Sequence, residues 1–195
     1  MAITGTARQA LVRLRDRIDQ SLHAGRRERA AARLTELNPS SVLFVCLGNV
    51  CRSPYAERVF VDGNPGSVRV DSAGFIKPGR PPADLALEVA AERGIHHSDH
   101  RSRTLAPGEL EVAEAVFLFD RFNKADLMRT PGVRRDRLFW LGDLEPEWQG
   151  RRAILDPWGK PRAEFERVFD QIERCVAELQ RILAEAAAPA GPSPG

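Results

Sequence analysis

The chain has 195 residues, of which 43% are hydrophobic and 29% are charged, and its formal net charge is +2. This length suits one domain with a full core and an appendage, while the small charge argues against nucleic acid as a partner. Three cysteines are too few, and odd in number, for a secreted disulfide framework. No apolar run approaches the roughly 20 residues of a membrane span, and no signal-peptide pattern is found. We therefore expect a reducing, cytoplasmic location.

Residues 1–38 differ in composition from the rest of the chain. Apolar residues recur there at helical spacing, at Leu11, Leu14, Ile18 and Leu22. Eight arginines and four acidic residues give this segment a charge of +4, which leaves −2 for the remainder. The pattern predicts a basic amphipathic helix. Such a helix either lies on its own domain with solvated arginines, the more usual case, or docks a partner, an acidic lipid surface or a second copy of the chain.

Strands and helices alternate after the break at residues 38–41. The predicted strands are 42–46, 68–71, 115–119 and 137–141, and the predicted helices are 55–61, 84–93, 121–128 and 163–187. A turn is expected over residues 62–66. The alternation predicts an α/β fold, with a four-stranded parallel sheet flanked by helices over residues 39–187. The Ala-, Pro- and Gly-rich residues 188–195 are expected to be a disordered tail.

The most informative segment joins the first strand to the helix after it and reads VLFVCLGNVCRSPYAE over residues 42–57. The strand ends at Cys46, and the helix is predicted to begin near Pro54. Parallel sheets bind ligands beyond the carboxyl ends of their strands, which places Cys46 at the edge where a site is expected. The segment thus predicts a ligand-binding turn with a thiol at its base.

The residue types in this turn suit a phosphate. Gly48 permits close backbone approach, Asn49 tolerates a left-handed conformation, and successive N–H groups at a helix start attract anions. The planar fork of Arg52 holds two phosphoryl oxygens at once. The same field favours the thiolate form of Cys46, and Ser53 adds a hydroxyl donor. These features predict a phosphate cradle with a nucleophile that forms a phosphocysteine intermediate. For a bare Cys-x5-Arg pattern, a buried cysteine and a surface arginine would be the more ordinary interpretation.

The segment 42–57 resembles the signature of the low-molecular-weight protein tyrosine phosphatases, and the similarity extends over roughly residues 41–184. Further matches are the run Asp71-Ser72-Ala73-Gly74, the pair Asp120 and Asn123, and the pair Asp156-Pro157. The resemblance implies a four-stranded parallel sheet with flanking helices and a reaction that uses no metal and no cofactor. By that resemblance, Cys46 is the nucleophile, Arg52 the phosphate clamp and Asp156 the general acid.

Asp156 also makes chemical sense without the resemblance. It lies late in a long irregular stretch after the fourth predicted strand, and long loops in compact domains tend to be functional. A phenolate leaving group needs a proton, which a positioned carboxylic acid supplies. The alternative is an aspartate that only stabilises the turn before Pro157.

Substrate contacts are expected from the loop and from an aromatic residue beyond the acid. The expected contact residues are Leu47, Gly48, Asn49, Val50, Cys51, Ser53 and Trp158. Trp158 resembles the family's aromatic wall for the substrate ring, although it could instead pack beneath the loop. The role of Phe75 on the opposite side is left open. Cys51 is either a simple cradle residue or, as the family suggests, the partner that traps oxidised Cys46 in a disulfide.

The predicted substrate is a phosphotyrosine-containing protein or a small aryl phosphate. An arsenate reductase on the same fold would need further cysteines, and Cys175 is expected in the core of the last helix. A protein-arginine phosphatase resembles this chain but carries threonine where Val50 stands. A non-catalytic phosphate-binding scaffold is the remaining alternative. The histidines of residues 96–100 lack a clean helical ligand pair, so no metal is expected there.

Overall fold

The computed structural model describes residues 5–63 and 68–188. Its sheet has four parallel strands in the order β2-β1-β3-β4. The strands are β1 (Ser41–Val45), β2 (Arg69–Ala73), β3 (Ala115–Leu118) and β4 (Leu138–Trp140). The helices are α1 (Gly5–Leu37), α2 (Arg52–Gly63), α3 (Asp84–Glu92), α4 (Glu109–Val112), α5 (Arg121–Leu127) and α6 (Arg162–Ala187), with 3-10 turns at Arg135–Arg137 and Leu141–Leu144. The predicted α/β fold is confirmed.

Both faces of the sheet are covered, because alternate residues of the central strands enter two separate cores. Val42 and Phe44 of β1 join the larger core, to which α2, α3 and α6 contribute. Leu43 and Val45 point the other way and join the smaller core with residues of α4 and α5. This burial on both faces explains why β1 is a continuous apolar run rather than an alternating one.

The helix after the loop begins earlier than the sequence predicts, at Arg52 instead of near Pro54. Proline is tolerated within the first turn of a helix, where its missing N–H is not needed, so Pro54 does not mark the first helical residue. Arg52 and Ser53 therefore belong to the first turn of α2. The helix also continues to Gly63. Residues 64–66 of the predicted turn lie outside the described residues. The same holds for residues 189–195 of the predicted tail.

The second half of α1 packs on the α/β part of the chain, against α6 and the turn Leu141–Leu144. Ala30 and Leu34 are buried in the larger core. In the first half, Leu14, Ile18 and Leu22 are exposed, so their apolar face is not covered by the domain as the more usual interpretation expects. A domain boundary at residue 38, and self-association or partner docking through residues 1–38, stay predictions. Among the described residues, no helix is long and apolar enough to cross a membrane.

Candidate active site

The loop between β1 and α2 is fastened to the end of β2. The N–H of Cys46 donates to the carbonyl of Ala73 at 3.2 Å, and the N–H of Phe75 donates to the carbonyl of Leu47 at 2.9 Å. A Cβ atom on Gly74 would lie 2.9 Å from both the nitrogen of Asn49 and the carbonyl oxygen of Leu47. Only glycine fits without displacing this backbone, so Gly74 allows β2 to support the loop closely.

The sulfur of Cys46 lies at the base of the loop and receives two polar contacts. The backbone N–H of Asn49 donates to Sγ at 3.2 Å, and the hydroxyl of Ser53 lies 3.1 Å from it. The residue is only 2% exposed. The two contacts hold the sulfur at the base of the loop, where a cysteine thiolate would act as the nucleophile.

Asn49 stabilises the loop through hydrogen bonds of its side chain and its carbonyl. Its backbone is left-handed, with φ of 52°, and its side-chain Nδ2 donates to the hydroxyls of Ser53 and Ser72 at 3.0 and 2.8 Å. Its Oδ1 accepts from the N–H of Arg103 at 2.9 Å, and its carbonyl accepts from Nε2 of His100 at 3.0 Å. Asn49 and Ser53 are fully buried, and their place among the substrate contacts stays a prediction. Their geometry suits positioning of the loop and the sulfur.

The sequence analysis did not identify His100 as a residue that contacts the loop. Its link to Asn49 follows from the fold, because Thr104 pairs with Gly74 and brings the segment after α3 alongside the loop. Burial lowers the pKa of His100 below its ordinary value, against the opposing effect of its hydrogen bond with Asn49. A neutral imidazole still donates one N–H, which is all that this contact needs.

Arg52 is almost entirely buried, at 1% exposure, and lies between two carboxylates. Its Nη1 donates to Oδ2 of Asp120 at 2.6 Å and to the carbonyl of Ile154 at 3.0 Å, and its Nη2 donates to Oδ2 of Asp156 at 2.8 Å. Burial alone would lower the pKa of Arg52, but the charges of Cys46, Asp156 and Asp120 raise it above its ordinary value. The guanidinium is therefore a permanent cation.

The Nε of Arg52 is buried and has no hydrogen-bond partner within the described part of the chain. Since Nη1 is held by Asp120 and Ile154, the edge formed by Nε and Nη2 can bind an anion once Nη2 gives up its hydrogen bond to Asp156. Two parallel N–H groups on that edge match two oxygens of a phosphoryl group. An orphaned buried donor at this point is thus explained by a ligand-binding role.

Asp120 is itself fixed in place. Its Oδ1 caps α5, accepting from the backbone N–H groups of Phe122 and Asn123 at 2.8 and 2.9 Å. Its other oxygen holds Arg52. One carboxylate thus connects the start of α5 to the first turn of α2, which limits the positions available to the guanidinium.

A cavity of about 270 Å³ opens above the loop. Its lining residues are Cys46, Leu47, Gly48, Val50, Cys51, Ile76, Lys77, Arg80, Asp156 and Trp158. Trp158 is 57% exposed and its backbone N–H donates to Oδ1 of Asp156 at 3.1 Å, so the indole is at the cavity and not packed beneath the loop. Cys46, Asp156 and Trp158 therefore line the same cavity.

A further wall of the cavity contains residues that the sequence analysis did not identify. Arg80 donates through Nη2 to the carbonyl of Gly48 at 2.8 Å and through Nε to the carbonyl of Lys77 at 2.8 Å. Phe75, whose role was left open, is half-buried and packs against the smaller core. A single arginine in a proline-rich loop gives no sequence signal of this placement. The wall is therefore cationic and aliphatic, with Lys77, Arg80 and Ile76.

The other two cysteines are free and buried. Burial, followed by the charges of Asp156 and Cys46, raises the pKa of Cys51 far above its ordinary value. Burial also raises the pKa of Cys175, which is fully buried in α6 as predicted. Within residues 5–63 and 68–188, no group of three or more metal-ligating side chains is found, and His97 is buried.

Comparison with known proteins agrees with this geometry. Residues 41–188 match the family model of the low molecular weight phosphotyrosine protein phosphatases. Low molecular weight protein-tyrosine phosphatase A of Mycobacterium tuberculosis is 34% identical over 165 residues, which cover 80% of this chain and 99% of that protein.

Two solved structures are also similar. A low molecular weight phosphotyrosine phosphatase of Vibrio cholerae has a TM-score of 0.69 and 28% identity, covering 76% of this chain and 99% of its own. The YwlE arginine phosphatase of Geobacillus stearothermophilus has a TM-score of 0.66 and 32% identity, covering 75% of this chain and 94% of its own. The fold and the thiol cradle define a cysteine-based phosphatase. The chain belongs to the low-molecular-weight protein tyrosine phosphatase family.

Proposed function

We propose that this protein hydrolyses phosphotyrosine in proteins, and small aryl phosphates, with Cys46 as nucleophile, Arg52 as phosphate clamp and Asp156 as general acid. The observation that supports this most is the position of the Cys46 sulfur, which accepts from Asn49 N–H at the base of a cavity that Asp156 also lines. A reducing location such as the cytoplasm suits a reaction that needs a free thiol.

In the first step, the thiolate of Cys46 attacks phosphorus and the bond from phosphorus to the aryl oxygen breaks. The Nε and Nη2 edge of Arg52 holds two phosphoryl oxygens, while backbone N–H groups of the loop stabilise the charge that develops. Asp156, protonated at this stage, gives its proton to the departing phenolate oxygen. The products are a phosphocysteine and the free phenol.

In the second step, water hydrolyses the phosphocysteine. The Asp156 carboxylate accepts a proton from water as the oxygen attacks phosphorus, and the bond from phosphorus to sulfur breaks. The sulfur leaves as a thiolate, which the N–H of Asn49 and the hydroxyl of Ser53 stabilise. Inorganic phosphate is released and Asp156 is protonated again, so no cofactor is consumed.

The cavity walls support an aromatic substrate. Trp158 offers an exposed ring, and the apolar side chain of Val50 lines the same cavity. Ring stacking contributes about 0.5–1.5 kcal/mol beyond area burial. One structural relative is named as an arginine phosphatase. Hydrolysis of phosphoarginine is therefore the competing activity within the family. Thiol-relay arsenate reduction is disfavoured because Cys175 is fully buried in α6.

The function is tested by turnover of a phosphotyrosine peptide, a phosphoarginine peptide and arsenate with the same full-length preparation at mildly acidic pH. We expect hydrolysis of the phosphotyrosine peptide and of para-nitrophenyl phosphate, lost in Cys46→Ser and retained in Cys175→Ser. A clear preference for phosphoarginine would replace the proposed substrate class. No turnover of any of these, with phosphate still bound, would favour the non-catalytic scaffold.

A further inference from the structure

A second cleft, of about 340 Å³, lies between α1 and β4 and shares no lining residue with the cavity at Cys46. Its volume falls within the range of about 300–1,000 Å³ that is typical of small-molecule sites. Three arginines of α1 line it, Arg26, Arg29 and Arg33, whose spacing places them on one face of the helix. All three precede residue 41, where the family match begins, so the cleft depends on a part of the chain that the family model does not include.

Two guanidiniums in this cleft are held by aromatic rings. The guanidinium carbon of Arg33 lies 4.4 Å from the ring centroid of Phe139, and that of Arg152 lies 4.2 Å from the ring centroid of Trp140. Stacking of this kind fixes a flexible cationic side chain without neutralising it. The stacking therefore holds the guanidiniums of Arg33 and Arg152 in fixed positions at the cleft.

One carboxylate, Asp143, faces this charge from the cleft lining. Arg152 binds it through two hydrogen bonds of 2.6 Å, from Nε and Nη2, so Asp143 is largely neutralised by that arginine. Arg26 lies 3.7 Å from Asp143 as a looser ion pair and also contacts Asp19 at 3.5 Å. The Nε of Arg26 is buried and has no hydrogen-bond partner in the described chain.

The remaining two arginines keep uncompensated charge. Arg33 donates to the backbone carbonyl of Asp136 at 2.6 Å, and a carbonyl carries no net charge. Within the described ranges, neither Arg29 nor Arg33 forms an ion pair with a carboxylate. Cations grouped in a partly enclosed cleft raise the local concentration of anions.

We propose that this cleft is an anion-binding site for a ligand with two or more linked phosphoryl groups. A helix rises about 1.5 Å per residue, so Arg26 and Arg33 are separated by roughly 10 Å along α1. A diphosphate or longer oligophosphate offers more oxygens along that length than one tetrahedral phosphate does, and so contacts more of these guanidiniums. The guanidinium fork suits such oxygens in pairs.

The test is calorimetric titration of the full-length protein with methylenediphosphonate, a diphosphate analogue that phosphatases do not hydrolyse. We expect binding at two sites in the wild type, because the cradle at Cys46 also accepts tetrahedral oxyanions. Arg29→Ala with Arg33→Ala should remove the cleft site or weaken it at least about tenfold, and leave turnover of para-nitrophenyl phosphate unchanged. Orthophosphate should show one site only.

Arg17→Ala with Arg129→Ala is the matched control, since it removes the same charge from exposed positions outside the cleft. It should retain both sites. Equal loss of binding in both double variants would reduce the effect to bulk charge and overturn the proposal, as would unchanged binding in the Arg29/Arg33 variant. A cleft that bound orthophosphate as tightly as the diphosphonate would contradict the requirement for linked phosphoryl groups. None of these outcomes depends on which phosphoester the enzyme hydrolyses.

Discussion

Arg52 and Asp156 form an ion pair in which Nη2 donates to Oδ2 at 2.8 Å, although the two residues are 104 positions apart. The side chain of Arg52 is 1% exposed and that of Asp156 is 36% exposed, so the pair joins a buried guanidinium to an accessible carboxylate. It also ties the loop after β4 to the first turn of α2. A phosphoryl group that takes the Nη2 donor would release Asp156 towards the leaving-group oxygen.

Replacing Asp156 by asparagine tests the acid. The variant keeps a polar group of the same shape but has no proton to donate, so we expect kcat/KM on a phosphotyrosine peptide to fall by about 100- to 10,000-fold. Aryl phosphates with more acidic phenols should lose much less, because their phenolates leave without protonation. The measurement is kcat/KM across a series of phenols of different pKa. Glu147→Gln, at an exposed carboxylate of the same loop, is the control, and an equal loss on every substrate would argue against Asp156 as the acid.

Asn49 gives a prediction on stability. In Asn49→Ala the buried side-chain hydrogen bonds are lost, at about 1 kcal/mol each, and alanine is strained in the left-handed backbone by about 1–2 kcal/mol. Asn49→Gly loses the same hydrogen bonds without the strain. Urea unfolding should therefore rank the wild type above Asn49→Gly and Asn49→Gly above Asn49→Ala. Equal stability of the two variants would mean that the positive φ carries no cost here.

The exposed indole of Trp158 should contribute to recognition of the substrate ring more than to the chemical step. We expect Trp158→Ala to raise KM for aryl phosphates by about twofold to tenfold, from a stacking contribution of about 0.5–1.5 kcal/mol, with kcat little changed. A small alkyl phosphate, which has no ring to stack, serves as the comparison substrate. If both substrates were affected alike, Trp158 would act through the backbone contact with Asp156 instead.

The buried His97 makes stability depend on pH. Burial, followed by the charge of His100, lowers its pKa from 6.5 to about 4 in the folded protein. The unfolded chain therefore binds the proton first as pH falls, so stability is intact above about pH 6.5 and is lost progressively between about 6.5 and 4. A pKa shift of this size changes the free energy of unfolding by about 2–4 kcal/mol once His97 is protonated in both the folded and the unfolded chain.

Denaturant unfolding at several pH values between 7 and 4 measures this effect. His97→Phe keeps an aromatic ring at a site where neither ring nitrogen is hydrogen-bonded within the described residues, so the loss of stability on acidification should be smaller in the variant than in the wild type. His96→Gln, at an exposed position in the same turn, should behave as the wild type. An identical pH dependence in His97→Phe would assign the acid sensitivity to other groups.

The four strands and the position of Cys46 could be anticipated because they rest on local signals, whereas the strand order β2-β1-β3-β4 was not predicted. An apolar run gives a buried strand, parallel strands end at one edge, and a thiol at that point lies where ligands bind. The roles of Arg52 and Asp156 came from the family resemblance, and the contact of Asp120 with Arg52 was not predicted, since nothing in the spacing of residues so far apart brings them together.

Other features were out of reach for sequence reasoning. His100 and Arg80 are single polar residues in loops, and only the pairing of Gly74 with Thr104 and the path of the loop after β2 place them beside the cradle. In α1 the helical period predicts an apolar face but does not determine what covers it. Leu34 is therefore buried while Leu14, on the same helix, is exposed.

The account depends most on the sulfur of Cys46 as the atom that receives the phosphoryl group. Rapid acid quenching during turnover of an aryl phosphate, followed by peptide mass spectrometry, measures this directly. We predict a phosphoryl adduct on the peptide that contains Cys46 in the wild type, and neither adduct nor turnover in Cys46→Ser. Turnover that survives in Cys46→Ser, or an adduct on a different side chain, would contradict the central claim.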